Sequence, residues 1–123
     1  MGAGATHRME EEVERLLSDV VCDMVRLNVA FFFHDHPSFV DGAQRIASQL
    51  GRDPAVAERA LEALARSGVV ERFELGSGRY VLYAYTQNAK LRASIARLSH
   101  YFHDDPALRT AIVRRVMGLG EPG

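Results

Sequence analysis

The sequence predicts an α+β chain, mostly α, organised as one domain. Three observations predict it. Residues 41–86 run helix, tight turn, helix and then two short strands around the glycine loop Gly76-Ser77-Gly78. An apolar stripe at helical spacing precedes this block, and two further amphipathic stretches follow it.

At 123 residues the chain suits one domain, which buries roughly two-thirds of its unfolded surface. Apolar residues at 47% and charged residues at 25% are ordinary globular values. They indicate neither a disordered tract nor a membrane span. The net charge of −1 is unevenly spread: residues 1–37 carry −4, 38–86 carry zero and 87–123 carry +3. An acidic first helix lying against a basic tail, within the chain or across a dimer, explains that split. Only Lys90 among the fifteen basic residues is lysine. Cys22 is the single cysteine, so no intrachain disulfide forms and a cytoplasmic setting is expected, with Cys22 as a small buried hydrophobe. No signal region is visible at the N-terminus. Residues 1–6 fit the loose myristoylation pattern, which a flexible Gly/Ala lead explains better.

Residues 10–33 are expected to form one long helix. Val13, Leu17, Val20, Met24, Leu27 and Phe31 alternate spacings of four and three along one stripe. Leu16, Val21, Val25 and Phe32 widen it. Val29 to Phe33 is apolar almost all round and is expected to be enclosed, whereas Glu10, Glu11, Glu12 and Glu14 keep the start solvated and suit a helix N-terminus. Pro37 stops the helix after His34-Asp35-His36, and Phe39-Val40 reads as a short extended piece.

Asp41 is expected to cap the next helix, with Gln44 completing a capping-box-like pair. Ala43, Ile46, Ala47 and Leu50 form its buried side and Gly51 ends it. Arg52-Asp53-Pro54 makes the turn, Asp53 as N-cap and Pro54 at the first helical position. The second helix buries Ala57, Ala60, Leu61 and Leu64 and closes at Ser67-Gly68. Strands are expected at 69–75 and 79–86. After Asn88 a helix carries Leu91, Ile95, Leu98 and Phe102 on one stripe, and a last helix opens at Asp105-Pro106 with Leu108, Ile112, Val113 and Val116 apolar. The organisation expected is therefore a flexible 1–9, a domain over 10–117 with its core at 38–86 and flanking helices 10–33 and 88–117, and a flexible 118–123.

Three segments together resemble the winged helix-turn-helix superfamily of bacterial transcription regulators: residues 43–51 (AQRIASQLG), 53–64 (DPAVAERALEAL) and 67–72 (SGVVER). The likeness covers about 50 residues and does not single out one family. It implies a DNA-binding, non-enzymatic regulator whose helix 54–67 enters the major groove and whose wing loop 76–79 reaches the neighbouring minor groove or backbone. It implies no cofactor.

Carried over position by position, the resemblance makes Ala55, Val56, Glu58, Arg59 and Glu62 groove-facing. Arg59 is the candidate for a guanine edge. Arg45, Arg52, Arg66 and Arg79 are candidates for phosphate contact. Glu58 and Glu62 depart from a basic footprint and repel phosphates, which opens the alternative of a winged helix that docks another protein. The stripe residues Val13, Leu17, Val20, Met24 and Leu27, with Ile112 and Val116, are the expected homodimer interface.

His34 and His36, and His100 and His103, are the candidates for a metal site of a metal-sensing repressor. Histidines near helix C-termini are also favoured there by the dipole. For catalysis there is no phosphate-binding glycine loop, nucleophile elbow or metalloprotease pattern. Ser99-His100 are adjacent on a helix and face different ways. Tyr80, Tyr83 and Tyr85 suit sheet packing or base stacking.

Overall fold

The computed structural model describes residues 9–119. The N-terminal lead with its lipidation pattern, and the end of the tail, lie outside the described residues. In chain order the elements are α1 (Glu11–Asp19), α2 (Met24–Asp35), β1 (Val40–Asp41), α3 (Ala43–Leu50), α4 (Pro54–Arg66), β2 (Val70–Leu75), β3 (Tyr80–Tyr85), α5 (Ala89–Asp104) and α6 (Pro106–Val116).

The first helix expected at 10–33 is two helices. Val20 leaves the helical region (φ −120°, ψ −61°), and the N–H groups of Val20 and Val21 both return to the Leu16 carbonyl at 3.0 Å. Asp23 then starts α2 by accepting the Arg26 N–H at 2.8 Å, as a side-chain N-cap does. The apolar stripe conceals the break because both helices face one core. The break also corrects the expectation for Cys22, which is exposed and accepts from Arg26 Nη1 at 3.3 Å, while its neighbour Val21 is fully buried.

The end of α2 is enclosed as its composition demands. Val29, Ala30, Phe31, Phe32 and Phe33 are all buried. Phe33 stacks on Tyr85 (6.1 Å, 20°), and Phe31 meets Phe102 edge-on at 5.4 Å. These contacts join α2 to the sheet and to α5. The charge split resolves within one chain: Arg97 of α5 pairs with Glu10 (3.6 Å) and Glu12 (3.3 Å), Tyr101 donates to Glu10 (2.7 Å), and Arg115 of α6 pairs with Glu14 and donates to Ser18. The Tyr101 hydroxyl holds the Glu10 carboxyl below its ordinary range.

Residues assigned to a dimer interface serve this same core. Val13, Leu17, Leu27, Ile112 and Val116 are buried among their own chain's side chains, and Val20 and Met24 are partly buried against them. Along α1 the stripe packs against α5, and Arg115 ties α6 to the same helix.

The extended piece expected at Phe39-Val40 is shifted by one residue, and Val40–Asp41 form a third strand. The sheet order is β1-β3-β2, all antiparallel, with Val40 opposite Ala84 and β2 paired from Val70↔Tyr85 to Leu75↔Tyr80. Strand alternation puts Val70, Val81, Tyr83 and Tyr85 on the inner face and Val40, Phe73, Leu75, Tyr80 and Leu82 on the outer. Pairing of Asp41 with Tyr83 also corrects the expected cap of α3. Asp41 is extended in β1, its carboxylate turned to the Gly42 N–H (2.7 Å) and Arg45 (3.6 Å). Gly42 takes the N-cap position without a side-chain cap. A Cβ at Gly42 would sit 3.3 Å from the Val81 carbonyl, so glycine allows α3 to start hard against β3.

Candidate nucleic-acid interface

The turn between α3 and α4 forms as its residues dictate. Gly51 ends α3 in the left-handed region at φ 66°, where no Cβ penalty applies. Asp53 Oδ1 accepts the Ala55 N–H at 2.8 Å and Pro54 occupies the first turn of α4. Ala57, Ala60, Leu61 and Leu64 are buried against α2, α3 and β2, so Ala55, Glu58, Arg59, Glu62 and Arg66 are left on the outer side. Val56 is half-buried. The wing loop crosses from β2 to β3 through positive φ at Gly76 (62°), Ser77 (59°) and Gly78 (84°).

Two of the expected phosphate contacts converge. Arg45 of α3 and Arg79 at the end of the wing loop line one open cleft of about 630 Å³, together with Asp41, Gln44, Ser48 and Tyr80, and the Asp41 carboxylate lies 3.6 Å from the Arg45 guanidinium. The sequence reading took Gln44 only as a capping partner of Asp41 and gave Ser48 no role. The signal available was their spacing of four, which sets both on the polar side of α3 beside Arg45. Tyr80 follows Arg79 and is 60% exposed.

The other basic candidates are placed elsewhere. Arg52 is turned inward, donating through Nη2 to Asn28 of α2 at 2.7 Å. Arg59 borders a shallow hollow of about 280 Å³ with Asp23, Val25, Arg26, Val56 and Ala60. Arg66 is exposed in the last turn of α4. Glu58 and Glu62 are exposed on α4. Burial pushes the Tyr83 hydroxyl up, the adjacent Arg72 pulls it the other way, and Glu62 and Glu58 push it further up. The carboxylates therefore lie within electrostatic reach of the inner sheet face. Arg72 itself pairs with Glu74 along β2.

The four histidines do not assemble. His100 pairs with Asp104 at 2.6 Å, His103 Nδ1 donates to the Ser99 carbonyl at 2.8 Å, and the His36 ring lies 5.0 Å from that of Phe32. His34 sits in the last turn of α2. Among the described residues no three His, Cys, Asp or Glu gather as metal ligands, and no helix is long and apolar enough to cross a membrane.

No family model matches the chain, and no curated protein matches it. Solved structures do. A possible transcriptional regulator from Methanosarcina mazei superposes with a TM-score of 0.55 at 19% identity, over 82% of this chain and 85% of that one. A mutant of S. aureus MepR bound to an oligodeoxyribonucleotide gives 0.56 at 13% identity, over 94% and 92%. A mutant of Lactococcus lactis ZitR gives 0.50 at 16%, over 85% and 82%. The α3-turn-α4 unit, the three-stranded sheet and these superpositions agree: the chain has the winged helix-turn-helix fold.

Proposed function

We propose that this chain is a transcriptional regulator that binds duplex DNA, with α4 against the major groove and the wing loop on the flanking backbone. The observation that carries the reading is the cleft shared by Arg45 and Arg79, which brings guanidinium groups of two separate elements to one stretch of phosphates, Arg45 exchanging its exposed pairing with Asp41 for a phosphate. The superposition on a MepR mutant bound to an oligodeoxyribonucleotide supports it. Gln44, Ser48 and Tyr80 supply neutral donors in the same cleft. Arg59 is the base-reading candidate on α4, with Ala55 and Val56 beside it. Glu58 and Glu62 limit the phosphate attraction of α4 itself, so backbone contact falls to α3 and the wing. Pairing of two copies would double these contacts.

Fluorescence anisotropy with labelled duplexes across a salt series tests the reading. Affinity is expected to fall steeply with salt and to drop in Arg79→Ala and Arg45→Ala. No binding to any duplex at low salt would overturn it. The second reading, a winged helix that docks a protein, is favoured by Glu58 and Glu62 on α4 and would then take its place.

A further inference from the structure

We propose that the open edge of β2 is a docking surface for a second copy of this chain, strand against antiparallel strand, about a two-fold axis through Phe73. In the order β1-β3-β2 only one side of β2 is paired among the described residues. The Thr86 N–H to Val69 carbonyl bond at 3.0 Å and the register Val70↔Tyr85 set the alternation of the ladder. Odd-numbered residues of β2 bond β3, so Arg72 and Glu74 turn their N–H and C=O groups to the open side. Arg72, Phe73, Glu74 and Leu75 are all exposed. An unpaired run of such groups is a template for another strand. The usual safeguards, proline and lysine, are absent from Val70–Leu75.

The side chains select the partner. With the axis at Phe73, each Arg72 stands opposite Glu74 of the other copy, twice over, and the two Phe73 rings face one another. The pairs Arg72/Glu74 are hydrogen-bonded pairs of this ladder, so four inter-strand backbone bonds form with the charges matched. The ion pair of Arg72 with Glu74 within the strand shows that both project from the same face, as cross-strand pairing requires. On the other face Phe73 (44% exposed) and Leu75 (50% exposed) come together across the junction, and Glu71 keeps its bond to the Gln87 N–H (3.3 Å). An unrelated strand would lack this reciprocity of charge. The pairing is independent of the DNA reading.

Sedimentation velocity over a protein concentration series tests it. The native chain is expected to show a concentration-dependent dimer. Arg72→Glu and Glu74→Arg, each setting like charges opposite one another in both pairs, should raise the dissociation constant at least about tenfold. The double variant R72E/E74R should restore it. Both positions are exposed, so circular dichroism should show each variant folded. In a Cys22→Ser background, Phe73→Cys should oxidise to a disulfide-linked dimer, since a non-hydrogen-bonded pair brings Cβ atoms to about 4.5–5.5 Å. A chain that stays monomeric at every concentration, or a dimer whose mass the single charge reversals leave unchanged, would overturn the proposal.

Discussion

Arg52 Nη2 donates to Asn28 Oδ1 at 2.7 Å, fastening the turn between α3 and α4 to α2. The residues are 24 apart in sequence, and the bond ties the turn to the helix against which α3 and α4 pack. Asn28→Ala is expected to cost about 1.5 kcal/mol, the low end for a hydrogen bond to a charged group because the pair is only partly buried. Urea denaturation measures it. An unchanged midpoint would mean that the bond is replaced by water at no cost.

A consequence for binding follows from the same side chain. Because Arg52 is committed to Asn28 while Arg45 and Arg79 share the open cleft, their removal should differ in its dependence on salt. Arg79→Ala and Arg45→Ala should each lower the slope of log affinity against log salt by about 0.9. Arg52→Ala should leave the slope near that of the native chain. Equal slopes for all three variants would contradict this division of roles.

How much of this was legible in the sequence depends on what each element asks of its residues. The α3-turn-α4 unit is specified locally, by Gly51, by Asp53 capping Ala55 and by Pro54. These were readable, as was the wing from its glycines. The break between α1 and α2 was not, because an apolar stripe has the same spacing whether the backbone beneath it is continuous or re-started at Asp23. Asp41 likewise carries a capping residue type, but the long-range pairing with Tyr83 claimed its backbone. For the site, residue types pointed to the arginines, yet a side chain's direction depends on tertiary neighbours. Asn28 draws Arg52 inward, and no local pattern announces that.

Leu17 distinguishes the chain's own core from an interface between copies. It is fully buried within one chain, among the side chains of the common core. Leu17→Ala is expected to cost about 2–5 kcal/mol, as removal of a buried leucine does. The loss should be the same at low and high protein concentration. Thermal unfolding followed at both concentrations checks it, and a loss that grows on dilution would return Leu17 to an interface.

The Tyr85 hydroxyl is buried and makes no hydrogen bond among the described residues, while its ring lies against Phe33 and under Arg92, whose guanidinium carbon is 4.7 Å from the ring centre. Burial pushes the hydroxyl from 10 up to about 12, against the opposing pull of Arg92. Since the folded value lies above the unfolded one, the neutral form is favoured by folding. Its contribution is complete below about pH 10 and is lost as pH rises toward 12. Tyr85→Phe keeps the ring contacts and deletes the unpaired hydroxyl, so at pH 7 stability should be unchanged or higher by up to about 1 kcal/mol. Above pH 10 the variant should lose stability with pH less steeply than the native chain, and the tyrosinate absorbance step near pH 12 should vanish. Tyr83 and Tyr101 are also shifted up, but they are common to both proteins, so the difference between the two denaturation series isolates Tyr85. A variant that is less stable at pH 7 by more than about 1 kcal/mol would show that the hydroxyl has a hydrogen-bond partner in solution.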